Sequence, residues 1–205
     1  MDERETRTFD IELRVEKEDD KPHLMGHAAV FDKKSEDLGG FREIVKPGAF
    51  KKTIQEADIR ALWNHDANYV LGRTKSKTLS LAEDKTGLAV DIEPPDTTWA
   101  TDLLTTMGRG DVDQMSFGFR VVKDSWDNTD KNNIVRELVE VELFDVSPVT
   151  YPAYPQTSIA VRDHVKALQS EPGNAPHSAV AEEPGNAPHS TREKQRRLRL
   201  IERDL

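Results

Sequence analysis

Apolar and polar positions alternate with a period of two along most of the first 163 residues, the spacing of half-buried strands. "TRTFDIELRVE" (6–16) puts Phe9, Ile11, Leu13 and Val15 on one face. "LMGHAAVF" (24–31), "IRALWN" (59–64), "SFGFRVVK" (116–123) and "IVRELVEVELFDVS" (134–147) read as further strands. "TLSLAEDKTGLAVDIE" (78–93) reads as a hairpin around "EDKTG". The period turns helical twice. "KPGAFKKTIQEA" (46–57) follows a Pro-Gly start and carries Phe50, Ile54 and Ala57 on one side. "TTWATDLLTTMGRG" (97–110) repeats Trp99, Leu103 and Met107 at spacing four and stops at Gly108 and Gly110. "KKSEDLGG" (33–40) is a polar loop and "DSWDNTDKNN" (124–133) a turn. Six or seven strands with two inserted helices, and no regular strand–helix alternation, predict a mostly β fold with α. The expected form is a closed or nearly closed, mostly antiparallel barrel or sandwich with helices packed outside.

The pattern ends near Val161. "EPGNAPHS" stands at 171–178 and again at 183–190, a Pro/Gly-rich duplication of the kind that makes flexible linkers. Its histidines, His177 and His189, carry little weight as metal ligands in so bland a setting. Ser190 and Glu193 form a capping box for a last helix with a weak stripe of Leu198, Ile201 and Leu205. The expected organisation is a folded domain over 1–163, a linker over 164–190 and a basic amphipathic helix over 191–205.

Charge follows the same division. Residues 1–163 hold 22 Lys+Arg and 32 Asp+Glu, and residues 164–205 hold 7 and 6, giving the overall −9. An acidic body argues against broad nucleic-acid binding, which needs a basic face. The chain has no cysteine, which removes disulfides, thiol nucleophiles and cysteine-bound metals. The charged start "MDERETRTFD" does not read as a secretory signal, and no apolar run reaches membrane-spanning length. A cytosolic protein is expected.

Three residues stand at places where chemistry could occur. In "DIRALWNHD" the alternation puts Ile59, Ala61, Trp63 and His65 on one face. A histidine that ends an apolar face is either a satisfied edge residue or a general base at the rim of a core. Ser116, in "DVDQMSFGF", shares a face with Gly118 and Arg120, while Phe117, Phe119 and Val121 share the other. It reads as a structural strand serine or as a nucleophile, with Gly118 leaving room for a substrate backbone. Counting by two from Val135 puts Glu137, Val139, Val141, Leu143 and Asp145 on one face, so Asp145 continues the more apolar side and needs a partner. Glu140 and Glu142 lie on the mixed face. A serine, a histidine and a carboxylate are the parts of a nucleophilic triad, which is recognised by geometry rather than chain order.

"LWNHD", "LGRTKS", "GLAVDIE", a helix, "DVDQMSFGF" and "LFDVSPVTYPAYPQT" in succession resemble the prohead protease family of tailed phages, capsid maturation proteases related in fold to the herpesvirus assemblins. "GHAAVFD" and "EIVKPGAF" resemble the family's opening strand and first helix. The resemblance runs from Phe9 to Val161. It implies an assemblin-like β-barrel with surrounding helices and a serine endopeptidase activity. Its expected partners are the major capsid protein, scaffold protein and the protease itself as substrate, with no membrane and no specific nucleic acid, and with room for a homo-oligomer. The expected place of action is the host cytoplasm, inside the assembling prohead. His65 matches the family's general base and Ser116 its nucleophile. Assemblins use a second histidine after the serine; none lies between Ser116 and His164 here, so an acid takes the third place. Asp145 is the first choice and Glu142 the second. Arg73, in "LGR", is either an oxyanion donor or a structural arginine. No metal or other cofactor is expected. The tail would serve as a tether or a removed propeptide. The alternative function is a catalytically silent assembly or scaffolding module on the same barrel.

Overall fold

A computed structural model of the chain describes residues 4–10, 14–18, 21–151 and 159–170. In chain order the elements are β1 (Glu5–Asp10), β2 (Arg14–Glu18), β3 (Lys21–Val30), β4 (Arg42–Val45), α1 (Thr53–Glu56), β5 (Arg60–Trp63) and β6 (Asp66–Arg73). Then come β7 (Leu79–Glu83), β8 (Gly87–Ile92), α2 (Thr98–Gly108), β9 (Gln114–Asp127), β10 (Val135–Val149) and α3 (Ile159–Ser170). Strands dominate, as the two-residue period requires.

The strands form two open sheets rather than one closed barrel. One runs β1-β9-β10-β5-β6, with β4 also on β10; the other runs β2-β3-β8-β7. Closure requires two partners for every strand, and within these described sheets β1 and β6, like β2 and β7, stand at ends. The long β10 organises the first sheet. It pairs antiparallel with β9 along its length, and parallel with β4 at one end (residues 135–138) and with β5 at the other (Asp145 and Val146). Among the described residues, one isolated parallel bridge joins Phe31, just after β3, to Val45 of β4. Among the described residues no helix is long and apolar enough to cross a membrane.

Several expected boundaries move for identifiable reasons. The apolar run at 6–16 divides: β1 joins the first sheet beside β9, and β2 joins the second beside β3. The helix expected over 46–57 shortens to the single turn of α1. The backbone before it is already engaged, because Gly48 N and Phe50 N donate to the Glu83 carboxylate (3.0 and 2.8 Å) and Ala49 O accepts from Val141 N (3.0 Å). The strands β4 and β6 were not expected; β6 exposes four consecutive residues and so shows no alternation. The helix α3 crosses the boundary expected at 163, burying Val165 and Leu168 against Leu38, Phe41, Trp126 and Ile134. The repeats and the basic helix expected beyond it lie outside the described residues.

Phe50, Phe117 and Phe119 fill the main core together with Leu24, Leu88, Ile92 and, from α2, Leu103 and Met107. Phe9 stacks on Phe117 (centroids 6.0 Å apart) and Phe50 meets Phe117 edge-on (5.4 Å). This packing fixes β9, which carries Ser116.

One end of the first sheet buries charge instead. Arg7 bonds Glu43 (Nε to Oε1, 2.7 Å) and Glu5, while Arg136 bonds Asp124 (Nε to Oδ2, 2.7 Å) and Glu5 (3.2 Å). All five side chains are buried. Desolvation, the largest influence on both arginines, lowers their pKa, but the adjoining carboxylates outweigh it and the net shift is upward. Removing one partner of such a cluster strands buried charge. Arg136→Met leaves Glu5 and Glu43 with Arg7 as their remaining cation and takes from Asp124 its charged partner, leaving it the Trp126 Nε1–H. It is expected to destabilise the domain by roughly 3–5 kcal/mol, read from the urea unfolding midpoint.

Candidate active site

Met115, Phe117 and Phe119 all enter the core, so Ser116 and Gly118 face the other way. Ser116 lies directly opposite Thr8 of β1 on one side and Ser147 of β10 on the other. It has no accessible surface.

His65 reaches it from a turn. Trp63 pairs with Asp66, leaving Asn64 and His65 as a two-residue hairpin loop with φ of 53° and 58°. Two left-handed residues in succession make a type I′ turn, whose twist suits a tight hairpin; asparagine and histidine tolerate that conformation better than most side chains. His65 thus stands where β5 gives way to a loop, and the turn, not the alternation of the strand, sets its direction. Asn64 fixes the turn to the end of β10. Its N–H donates to Pro148 O (3.0 Å), its Oδ1 accepts from Thr150 N (2.9 Å) and its Nδ2 donates to Thr150 Oγ1 (3.3 Å). Asn64→Ala loses these side-chain bonds and a residue suited to φ > 0. It is expected to cost about 1–2 kcal/mol, a drop in Tm of roughly 2–8 °C by scanning calorimetry.

The imidazole joins two other side chains. Nε2 lies 2.7 Å from Ser116 Oγ, and Nδ1 lies 2.6 Å from Asp145 Oδ1. Asp145 is 1% exposed and the His65 side chain 18%. Asp145 owes its place to a β-bulge. Leu143 opposes Phe119 and Asp145 opposes Gly118, so Phe144 is an extra residue. The bulge breaks the count by two. Leu143 points into the core and Asp145 points to the face of Ser116, not to the apolar face on which alternation placed it. Ser147 Oγ donates to Asp145 Oδ1 (2.9 Å), and Arg4 Nη2 pairs with Oδ2. Burial, the strongest influence on the Asp145 carboxyl, raises its pKa. The hydrogen bond and charge of His65, then Arg4 and Ser147, outweigh it, so the group sits below the ordinary aspartate range. A carboxyl lowered on folding adds stability above its unfolded pKa and loses it as pH falls through the folded one. The carboxylate is thus ionised at neutral pH and able to hold Nδ1–H, which leaves Nε2 bare toward the Ser116 hydroxyl. A serine, a histidine and an aspartate in series can transfer a proton from the hydroxyl and stabilise the imidazolium that results.

A family model of the caudovirus prohead serine protease matches residues 9–171. The chain belongs to this family. It is also 31% identical over 148 residues to the prohead protease of Enterobacteria phage HK97, an alignment covering 71% of this chain and 62% of that protein. The chain therefore spans less than two thirds of that relative's length. No solved structure matches the chain significantly.

The other residues singled out as chemical candidates stand apart from this constellation. Arg73 bonds Asp58 through Nε (2.9 and 3.1 Å) and Nη2, and that hydrogen bond is the main reason the Asp58 carboxyl falls to about 2. Its guanidinium is committed there, at the far end of the β5–β6 hairpin from His65. Glu142 opposes and pairs with Arg120 near the surface. Two residues at the site escaped sequence reasoning. Ser147 carries a faint signal in "DVSPVT", two residues after Asp145. Arg4 sits in a charged stretch that looks solvated throughout and carries none.

Proposed function

We propose that the chain is a serine endopeptidase of phage capsid maturation. Its substrates are scaffold protein or the scaffold-like region of the major capsid protein, and the protease itself, and it works inside the assembling prohead in the host cytoplasm. In this reading Ser116 Oγ attacks the scissile carbonyl while His65 Nε2 takes its proton. Asp145 holds the ring and balances the imidazolium. His65 then returns the proton to the leaving amine, and a water, deprotonated by the same nitrogen, releases the acyl group from Ser116. The observation that carries the reading is His65 hydrogen-bonded at once to Ser116 and Asp145. Family membership supports the serine chemistry and the capsid setting.

Full burial of Ser116 favours a second reading within this one: the conformation is a closed one, and the chain behaves as a silent assembly module until its surroundings shift. An assemblin-like closed barrel would then form only with further strand pairing. A small serine-reactive phosphonate tests both. Peptide mapping should find the adduct on Ser116, formed faster in the presence of capsid or scaffold protein. An adduct on another residue, or none under either condition, rejects the protease reading; equal rates in both conditions reject the closed state.

A further inference from the structure

Asp145 has two carboxylate oxygens, and the proposed triad uses one. Oδ1 receives His65 Nδ1 and Ser147 Oγ. The Asp145 side chain is 2% exposed, and among the described residues Oδ2 meets one partner, the guanidinium of Arg4. That guanidinium lies over the Phe144 ring, 5.6 Å from its centre, so the bulged residue that turns Asp145 toward Ser116 also supports the group that binds it. Gly118 opens the space: a Cβ there would stand 2.8 and 2.9 Å from Arg4 Nη2 and Nε.

Arg4 immediately precedes β1, and its neighbours explain why it stays in place. Along β1 alternate residues serve different faces. Glu5 and Arg7 enter the buried ion cluster with Glu43 and Arg136, and Phe9 stacks on Phe117. Arg4, Thr6 and Thr8 lie on the side of the site, where Thr6 opposes Gly118 and Thr8 opposes Ser116. The cluster docks the strand, and the strand delivers the cation.

We propose that Arg4 is a positioning residue. It clamps Oδ2 of Asp145, so the carboxylate cannot turn about its Cβ–Cγ bond and Oδ1 remains on His65. The clamp rests on the triad reading, and it makes the site complete only when β1 is docked. Because Nη2 is the Arg4 atom that bonds Oδ2, a lysine ammonium can supply the same single charged donor, whereas alanine supplies nothing. Arg4 is 44% exposed on its side chain, so both variants should fold, with a lowered Tm in Arg4→Ala, which strands charge on the buried Asp145.

The test compares wild type, Arg4→Ala and Arg4→Lys in the full chain. One readout is the low-field proton NMR signal of His65 Nδ1–H; the other is the rate at which the phosphonate labels Ser116. In Arg4→Ala the low-field signal should vanish or move upfield, and labelling should slow by roughly 10- to 100-fold, as when a hydrogen bond to a charged group is lost. Arg4→Lys should recover most of both at an unchanged Tm. An unaltered signal and rate in Arg4→Ala overturn the clamp, as does a lysine variant as defective as alanine. Failure of the triad reading looks different: wild type would resist labelling at Ser116 while the low-field signal still depended on Arg4.

Discussion

Ser116→Ala is expected to leave no detectable cleavage when the protein is co-expressed with its capsid or scaffold protein and the products are resolved by gel and mass. The expected loss is on the order of 10⁶-fold in kcat, since members of a triad act as a unit and removal of the nucleophile costs about as much as removal of all three. His65→Ala should fall equally far. His65 bridges the other two, so without it Ser116 has no base and Asp145 has nothing to orient. Asp145→Asn should lose about 10⁴-fold, because an amide in place of the carboxylate cannot favour the tautomer that leaves Nε2 free. The fold should survive Ser116→Ala: the His65–Asp145 pair and its anchors on Arg4 and Ser147 do not involve the hydroxyl. Glu142→Gln is the internal control. Its partner Arg120 is exposed, and a surface ion pair of that kind contributes little. A Glu142→Gln variant more impaired than Asp145→Asn would mean that the carboxylate is misassigned.

What could be seen in the sequence divides by the range of the interaction. Alternation along one strand is local, and it placed Ser116 and Gly118 opposite Phe117 and Phe119 where the structure has them. The same counting gave Asp145 the wrong face. A bulge at Phe144 is set by the register against β9, which the sequence of β10 alone does not carry. His65 was singled out at the end of a strand, yet it owes its direction to a type I′ turn; the "NH" dipeptide allows positive φ without announcing it as Asn-Gly would. Sheet order was not legible, because β10 takes parallel partners from segments some 85 and 93 residues earlier in the chain. Nor were the buried ions. Glu5, Arg7, Glu43 and Arg136 look like solvated charge in any local window, since charged residues are seldom fully buried unless paired, and their partners lie on four different strands. Arg4 was invisible for the same reason.

Gly118→Ala is expected to disable the site as severely as loss of Asp145, by about 10³- to 10⁴-fold. Sequence alternation suggested that this glycine clears a path for substrate backbone. In the structure its missing Cβ is the space in which the Asp145 carboxylate meets Arg4. An added methyl would overlap Asp145 Oδ2 and stand within 3 Å of Arg4 Nη2 and Nε, closer than real Cβ contacts allow, so something must shift. Arg4 is partly exposed and can withdraw, but Asp145 is held on the facing strand with its backbone paired to Gly118. The carboxylate must therefore rotate, and rotation carries Oδ1 off His65. The two explanations of the glycine part at one measurement. If Gly118 served substrate clearance, the alanine variant would keep the low-field His65 proton and normal phosphonate labelling, and would fail only with large substrates through a raised KM. If it houses the carboxylate, the proton signal is lost and labelling slows even with the smallest reagent. Gly108→Ala supplies the contrast, because a Cβ at that helix end meets nothing within 4 Å and should leave both signals as they are.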